Sequence, residues 1–223
     1  MDTKEPQYNE IEDIIEKHGI SSLGLMANWS WNEDPKRMLF GMSRYKFVSK
    51  ILSGKNKVLE IGCADAFFTR LVQQEVGHVT AIDFDPIFIE DAKKRMNPNW
   101  PMDCFVHDML EGPVTGSFDA IYSLDVLEHI DPKDESLFLK NSFAPLKKDG
   151  TAIFGIPSLE SQVHASPQSV AGHVNCKSGK DFKDLMAKYF ENTFLFCIND
   201  EVVHTGFSPM AHYIFVVGSG LKI

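Results

Sequence analysis

Residues 58–66 read Val58-Leu-Glu-Ile-Gly-Cys-Ala-Asp-Ala66, and these nine residues carry the strongest signal for the fold. An apolar strand pattern at 57–61 runs into a turn of small residues, and a helical pattern follows at about 66–76. In an open parallel sheet, ligands lie beyond the carboxyl ends of the strands. Small side chains let the backbone approach a ligand closely, and Gly62 adopts a positive φ at no steric cost. The stretch therefore predicts a ligand-binding turn after the first strand of an α/β sheet.

Downstream, strand and helix patterns alternate along the chain. The predicted strands cover 79–82, 104–106, 118–123 and 151–156, and the predicted helices cover about 87–96, 132–145 and 179–189. A long loop is expected at 157–177. Two final strands, at about 193–198 and 211–217, have no helical pattern between them and so form an antiparallel pair. The pattern predicts an α/β fold with a Rossmann-like, seven-stranded, mostly parallel sheet, helices on both faces and an antiparallel C-terminal strand.

The segment before the first strand is expected to be helical. Short amphipathic patterns occur at 8–18 and at about 36–52, separated by an aromatic stretch that contains Trp29 and Trp31. Residues 1–56 are therefore predicted to be an N-terminal helical extension or lid, and residues 57–223 to be the ligand-binding domain.

Composition restricts the class of protein. The 223 residues are 43% hydrophobic and carry a formal net charge of −9, which fits one α/β domain and disfavours general nucleic-acid binding. The four cysteines form no C-x-x-C pair, so no zinc ribbon is indicated. The sequence has no apolar run of the ~20 residues that a membrane helix needs. We expect a cytoplasmic protein, monomeric or homodimeric, without nucleic-acid or membrane partners.

One region opposes the acidic average. Residues 36–57 contain seven basic residues and no acidic one. The favoured interpretation is a solvated helix face, and the alternative is a contact for a small anionic substrate.

Two cofactor classes use a turn of this kind, and the residues around it separate them. A dinucleotide site prefers a third glycine where Phe67 stands. The observed pattern instead has acidic Glu60 two residues before Gly62, as in acidic-x-Gly-x-Gly-x-Gly, with Ala64 and Ala66 at the later glycine positions. Because alanine does not easily take a positive φ, we expect the turn to differ slightly at Ala64.

A second acidic marker follows the next strand. Asp83 lies 21 residues after Gly62, where a carboxylate can accept both hydroxyls of a ribose. Asp85 competes for this role, but it stands directly before Pro86, and proline favours the first position of a helix. Asp83 is therefore assigned to ribose and Asp85 to capping.

Four ordered stretches over about a hundred residues resemble one known family. They are Val58–Cys63, Val79–Asp85, Phe118–Ile130 and Leu146–Pro157. Together they resemble the class I S-adenosylmethionine-dependent methyltransferases, in their small-molecule, ubiquinone-biosynthesis-like branch. The resemblance implies S-adenosylmethionine as cofactor and S-adenosylhomocysteine as product.

The resemblance also implies roles for individual residues. Glu60 is the acidic residue of the cofactor motif, and Gly62 and Ala64 contact the methionine part. Asp83 binds ribose and Phe84 flanks the adenine. The remaining implied contacts are Asp108 to the adenine amine, the backbone of Met109 to the adenine ring, and Ser123 and Leu124 beside the methionine amine and the transferred methyl group.

Histidines are the natural candidates for a catalytic base, because imidazole titrates near neutral pH. In the resembling family, His129 is common and borders the cofactor pocket; the alternative is a hydrogen bond to nearby backbone. His173 lies in the loop after the fifth strand, at the ligand face, and could order substrate.

The final hairpin carries a dense polar cluster. If the sixth strand is parallel to the earlier ones, the loop at 199–210 lies over the active site. Asp200, Glu201 and His204 are then predicted catalytic residues and Asn199 a substrate contact, against the alternative of a solvent-exposed loop. The three side chains include metal-ligand types, but their spacing is not diagnostic and the resembling branch usually works without metal, so no metal is expected.

The helical extension supplies candidates for closing the pocket. Trp29, Arg44 and Tyr45 are predicted to contact substrate, although core packing is the favoured interpretation of Tyr45.

The combined prediction is an S-adenosylmethionine-dependent methyltransferase that acts on an oxygen or nitrogen of a small polar acceptor. The basic stretch and the polar hairpin suggest a sugar, a nucleotide sugar or a polysaccharide precursor. The alternative from another class is a non-catalytic cofactor-binding partner in a complex. A nicotinamide oxidoreductase is disfavoured by Phe67.

Overall fold

The structure is a computed structural model that describes residues 3–222. Three helices precede the sheet: α1 Glu10–His18, α2 Leu25–Glu33 and α3 Lys36–Ile51. The strands are β1 Lys57–Ile61, β2 His78–Asp83, β3 Asp103–Val106, β4 Phe118–Leu124, β5 Leu146–Pro157, β6 Phe190–Asn199, β7 Val202–His204 and β8 Tyr213–Leu221. The intervening helices are α4 Thr69–Gln73, α5 Pro86–Arg95, α6 Glu135–Phe143, α7 Pro167–Gly172 and α8 Gly179–Met186.

The strands form one sheet in the order β3-β2-β1-β4-β5-β8-β6-β7. Strands β1 to β5 pair in parallel, and β8 is inserted antiparallel between β5 and β6. Strand β6 therefore runs parallel to β5, and its carboxyl end lies at the same edge as the turn after β1. The predicted fold class is confirmed, with one addition: the sheet has eight strands, because Val202–His204 turns back on β6 as a short edge strand.

The elements differ from prediction in three places. Helix α4 begins at Thr69 rather than at about 66, because tight turns occupy the residues before it. Helix α2 forms over the aromatic stretch, for which no helix was predicted. The predicted loop at 157–177 contains α7, capped by the hydroxyl of Ser166.

Each face of the sheet carries its own core. On one face, α6 and α8 cover apolar side chains of the central strands. On the other face, α3 crosses the sheet and buries Tyr45 and Val48 against β1, β4 and β8. The ring of Phe47 lies 4.7 Å from that of Phe215 on β8. Strands covered on both faces are apolar along their length, which explains why their patterns were readable.

The segment 3–56 is not uniform. Helix α1 has no buried residue, whereas α3 buries four: Met38, Tyr45, Val48 and Ser49. Helix α3 thus packs on the sheet of the predicted domain 57–223, and the division at residue 56 stays a prediction. Among residues 3–222, no helix combines the length and the apolarity required to cross a membrane.

Candidate active site

The turn after β1 is built from residues in the left-handed backbone region. Gly62 has φ 79°, Ala64 φ 44° and Ala66 φ 53°. The expectation that Ala64 avoids a positive φ is therefore wrong: the surrounding contacts hold both alanines there against their steric preference. The turn keeps the backbone course expected of glycines although alanines occupy two of the positions.

Asp83 holds this turn in place. One carboxylate oxygen accepts a hydrogen bond from the Ala64 N–H at 2.8 Å, and the other accepts from the Asp85 N–H at 3.0 Å. Burial raises the pKa of Asp83 above its usual value. Asp85 caps α5 by accepting from the Ile87 N–H, as predicted. The ribose contact of Asp83 stays a prediction, and the structure adds a role in fixing the turn.

Glu60 lies beneath the turn and is nearly fully buried. Its two carboxylate oxygens accept hydrogen bonds from the Tyr45 hydroxyl at 2.7 Å and from the Thr69 hydroxyl at 2.6 Å. Burial raises the pKa of Glu60 to about 6. The carboxylate thus ties α3 and α4 to β1. The Tyr45 ring lies in the core and its hydroxyl is bound to Glu60, which agrees with core packing, the favoured interpretation. Its contact with substrate stays a prediction.

Helix α2 rests on the same turn through a residue that sequence reasoning missed. Asp65 accepts from the N–H of Ala27 at 2.8 Å with one oxygen and from the N–H of Phe67 at 3.0 Å with the other. Gly24, which precedes α2, has no side chain to cap it, so Asp65 supplies the cap from a distant part of the chain. No local sequence pattern could reveal this pairing.

The remaining predicted cofactor residues surround the carboxyl ends of β2, β3 and β4. Phe84 is 71% exposed, and Asp108 is half-buried and accepts from the Leu110 N–H at 2.8 Å. The side chain of Met109 is buried. The hydroxyl of Ser123 donates to the Ile61 carbonyl at 3.0 Å, and Leu124 is buried beside it. The fold thus gathers these residues at the carboxyl edge of the sheet, and their individual contacts stay predictions.

Beyond β4 the chain presents an ion pair. Asp125 has φ 57°, and both its carboxylate oxygens accept from one guanidinium nitrogen of Arg44, at 2.9 and 2.8 Å. The Arg44 guanidinium also lies 3.8 Å from the centre of the Tyr213 ring. Arg44 therefore reaches the ligand edge of the sheet from α3. A substrate contact was predicted for it, but its charge is already paired with Asp125.

Next to this pair lies a cluster of three side chains, Glu128, His129 and His173. One possible ligand atom from each lies within 4.8 Å of the others. Glu128 is fully buried, and burial together with the nearby Asp125 charge raises its pKa well above the usual range. The cluster unites the predicted His129 and His173 with Glu128, which sequence reasoning missed. The short spacing Asp125-Val-Leu-Glu-His129 after a strand was the available signal.

The polar hairpin is tied together internally. His204 Nε2 donates to the Asn199 side-chain oxygen at 2.7 Å, and its Nδ1 accepts from the Gly206 N–H at 3.0 Å. The Asn199 amide nitrogen donates to the Met210 carbonyl. Both ring nitrogens of His204 therefore have partners within the hairpin. Asp200 and Glu201 are exposed in the turn between β6 and β7; their catalytic roles, and that of His204, stay predictions.

The basic stretch does not gather at the cleft. Lys50 pairs with Glu75, Lys36 lies 4.0 Å from Asp34, and the guanidinium of Arg37 lies over the partly exposed ring of Trp29. Arg44 reaches the ligand edge through its ion pair with Asp125, which follows β4. The favoured interpretation of a solvated helix face agrees with this distribution.

Comparison with known proteins finds similarity to methyltransferases. A family model described as a methyltransferase domain matches residues 58–150. The ubiquinone biosynthesis O-methyltransferase of Schizosaccharomyces pombe, a mitochondrial protein, is 27% identical over 158 residues, which cover 66% of this chain and 56% of that protein. Its counterpart from Xanthomonas oryzae is 29% identical over 142 residues, covering 60% and 58%. The chain thus spans little more than half the length of these relatives.

Solved structures share the fold. The N-methyltransferase NodS from Bradyrhizobium japonicum, in complex with S-adenosylhomocysteine, superposes with a TM-score of 0.61 at 19% identity, covering 86% of this chain and 91% of that one. A protein from Thermotoga maritima described as an S-adenosylmethionine-dependent methyltransferase gives a TM-score of 0.66 at 18% identity, covering 95% of each chain. At such identities the likeness concerns the fold alone.

Proposed function

We propose that this chain is a class I S-adenosylmethionine-dependent methyltransferase, which binds S-adenosylmethionine and catalyses methyl transfer to an oxygen or nitrogen of a small-molecule acceptor. The observation that carries the proposal is the turn at Gly62–Ala66, held in the left-handed region and fixed by Asp83. A backbone kept so close to the carboxyl ends of β1 and β2 fits a nucleoside-containing ligand.

The residues around the turn fit the proposed ligand part by part. Phe84 presents a largely exposed aromatic ring at the end of β2, which is suited to a flat base. Asp108 lies at the end of β3, where its carboxylate can receive an exocyclic amine. Gly62 and Ala64 border the position of the methionine part, and Asp83 that of the ribose. The match at residues 58–150 covers all of these positions.

Methyl transfer from a sulfonium donor requires few catalytic groups from the protein. S-adenosylmethionine supplies a sulfonium methyl group whose carbon bonds to the acceptor atom while the C–S bond breaks, leaving a neutral thioether as the acceptor loses its proton. The protein must orient the acceptor and deal with that proton. We propose that the reacting group of the acceptor lies beside the cluster of Glu128, His129 and His173, because Glu128 and His129 follow β4 at the ligand edge of the sheet.

For the acceptor, we favour a hydroxyl group. The relatives named above are O-methyltransferases. The argument from the basic stretch for nucleotide sugars and other anionic acceptors is weakened, because Arg44 is paired with Asp125, Lys36 with Asp34 and Lys50 with Glu75.

The donor is tested by calorimetric titration of the full chain with S-adenosylmethionine, S-adenosylhomocysteine and NAD. We expect S-adenosylmethionine and S-adenosylhomocysteine each to bind with a stoichiometry of one, and NAD not to bind. Failure of both sulfur ligands to bind would overturn the proposal. Binding of NAD alone would favour an oxidoreductase.

The acceptor is tested by a screen that measures release of S-adenosylhomocysteine. The panel pairs hydroxylated aromatic compounds with sugars, nucleotide sugars and amines. We expect turnover with hydroxylated aromatic acceptors. A chain that binds the donor but methylates no acceptor in such a panel would instead support the non-catalytic partner.

A further inference from the structure

We propose that Cys63 and Cys104 form a site of reversible oxidative modification, at which a peroxide converts the two thiols into a disulfide that ties the turn after β1 to β3. The formation of the disulfide needs no methyl donor. Its consequence for donor binding rests on the proposed function.

The first observation is where the fold places the two cysteines. Cys63 follows β1, and the N–H groups of Gly62 and Cys63 both donate to the Ile82 carbonyl, at 2.8 and 2.9 Å. The turn therefore lies against the end of β2. Cys104 lies on β3, on the other side of β2, in register with Ala81. The two cysteines thus flank the same strand although they are far apart in the sequence.

The second observation is that the two side chains meet on one face of the sheet. Both are buried in the core that α3 covers. Ala81, the residue of β2 in register with Cys104, carries only a methyl group and belongs to the same core. The thiols of Cys63 and Cys104 are hydrogen-bonded to each other. Two thiols already in contact can become bonded without the movement of a whole strand or helix.

The third observation is that this contact makes one of the two sulfurs more reactive. The hydrogen bond between the thiols, together with burial, raises the pKa of Cys63, and the same hydrogen bond lowers the pKa of Cys104. Burial raises the pKa of Cys176 to about 11 and also raises that of Cys197. Because the thiolate is the nucleophilic form of cysteine, Cys104 is expected to react first.

The chemistry proceeds in two steps. The Cys104 thiolate sulfur attacks one oxygen of hydrogen peroxide, the O–O bond breaks, and the hydroxide that leaves takes up a proton, so that a sulfenic acid and one water are formed. The Cys63 sulfur then attacks the Cys104 sulfur, the S–O bond breaks, and a second water leaves with the thiol proton. Two thiols and one peroxide thus become one disulfide and two waters.

The position of Cys63 links oxidation to the turn. Its neighbours Gly62 and Ala64 both have positive φ, and the Ala64 N–H donates to Asp83. The Cys63 sulfur also lies 3.4 Å from the Ala64 carbonyl oxygen. A covalent bond brings the two sulfurs closer than two thiols can approach, so it pulls the backbone at Cys63 towards β3. We expect the oxidised turn to bind the methionine part of the donor less well.

The test begins with treatment of the full chain with hydrogen peroxide. Free thiols are counted before and after, and the linked peptides are identified by mass spectrometry without reduction. We expect two of the four thiols to disappear, the peptides that contain Cys63 and Cys104 to be linked, and dithiothreitol to restore the thiols. Calorimetry with S-adenosylhomocysteine should show an affinity that falls by at least about tenfold on oxidation and recovers on reduction.

Two variants separate this site from general oxidation. Cys104→Ala removes the partner of Cys63 and leaves the residues of the turn unchanged, so it should bind S-adenosylhomocysteine like wild type and keep that affinity after peroxide. If it fails to fold, as judged by circular dichroism, Cys104→Ser replaces it. Cys176→Ala is the matched control, because Cys176 is a half-buried cysteine outside the pair. It should lose two thiols and the same affinity as wild type.

The outcomes are distinct. Retention of all four thiols under conditions that oxidise glutathione, or linkage of other cysteines, would overturn the modification site. A disulfide between Cys63 and Cys104 that leaves affinity unchanged would overturn its link to the turn. If neither sulfur ligand binds the reduced chain, the proposed function fails, whereas the thiol count and the peptide map still decide whether the disulfide forms.

Discussion

At the scale of single residues, the cofactor turn depends on a buried ionisable side chain and on residues with positive φ, both of which are unfavourable in isolation. Glu60 is an ionisable side chain in the core, and Gly62, Ala64 and Ala66 all have positive φ. Such positions persist only where the surrounding structure over-determines them. Each can be tested by one substitution.

The first prediction concerns pH. Burial raises the pKa of Glu60 to about 6 from the ordinary 4.5. Between these values the folded protein holds a proton that the unfolded chain has released. The resulting stabilisation is fully present below pH 4.5 and is lost as the pH rises through 6, by about 2 kcal/mol. The difference in unfolding free energy between wild type and Glu60→Gln should therefore fall by about that amount across this window, as measured by urea denaturation.

The control for this experiment is Glu75→Gln. A hydrogen bond from Lys50 lowers the pKa of Glu75, so the stabilisation that Glu75 contributes is lost as the pH falls. The difference in unfolding free energy between wild type and Glu75→Gln should therefore change with pH in the opposite direction to that for Glu60→Gln. A difference between wild type and Glu60→Gln that does not change with pH would contradict the raised pKa.

The second prediction concerns Gly62. A Cβ there would collide with the Val126 side chain and would require alanine to adopt φ 79°. We expect Gly62→Ala to cost about 1–2 kcal/mol for the backbone and about 1–3 kcal/mol for overpacking, and to abolish S-adenosylhomocysteine binding. Gly54→Ala is the matched control, because Gly54 has a similar φ of 81° but open space around it. It should lose only the stability that the strained alanine backbone costs and should bind S-adenosylhomocysteine normally. Equal effects of the two substitutions would argue against the close approach of Val126.

The third prediction separates structure from chemistry at His204. Because both ring nitrogens have partners in the hairpin, His204→Ala should lower stability by about 1–2 kcal/mol and leave turnover largely intact. Turnover and thermal unfolding are measured on the same samples, with exposed His164→Ala as control. Lost turnover at unchanged stability would instead support the catalytic role predicted for His204 from the sequence.

At the scale of elements, the turn and helix α2 are coupled through Asp65. Its carboxylate caps α2 at the Ala27 N–H and also accepts from Phe67 within the turn. A carboxylate at a helix N-terminus is favourable both as a cap and through the helix dipole. Order in α2 and order in the turn are therefore linked.

The fourth prediction follows from this link. Asp65→Ala should lower stability by about 0.5–2 kcal/mol and weaken S-adenosylhomocysteine binding. Ser178→Ala removes a cap of the same kind from α8, remote from the turn, and should lower stability similarly without changing binding. The measurements are urea unfolding and calorimetry. Unchanged binding by Asp65→Ala would mean that the turn holds its shape without α2.

At the scale of the whole molecule, the N-terminal segment divides into a dispensable and an indispensable part. Helix α1 contacts the remainder through its end: Asn97 and Asn99 donate hydrogen bonds to the carbonyls of His18 and Lys17, and the His18 ring lies 6.1 Å from that of Trp100. Helix α3 instead covers one face of the sheet, with Val48 and Leu52 fully buried. Removal of α3 exposes that face.

The fifth prediction is a pair of truncations. A variant lacking residues 1–19 should fold and lose only about 1 kcal/mol. A variant lacking residues 1–56 should not fold, because each large apolar side chain that loses its cover costs about 1.5–3 kcal/mol against a total stability of roughly 5–15 kcal/mol. Circular dichroism and thermal unfolding distinguish the outcomes. A folded 57–223 variant would establish α3 as a separable lid.

Three features could be read from the amino-acid sequence alone: the order of strands and helices, the ligand turn after β1 and the capping of α5 by Asp85. These features are local: strands covered on both faces are apolar throughout, and a capping residue lies within a few positions of the helix that it starts. The cofactor class was also readable locally, because Glu60, Gly62 and Asp83 mark the ends of two neighbouring strands.

Contacts between distant residues could be identified from the three-dimensional fold and not from the sequence. The capping of α2 by Asp65, the pairing of Arg44 with Asp125 and the cluster of Glu128 with His173 each join positions dozens of residues apart. Ala64 took a positive φ because Asp83 and the packed core supplied contacts that outweigh its local preference. Local patterns report backbone preference and burial, whereas the partner of a buried polar group depends on the packing of whole elements.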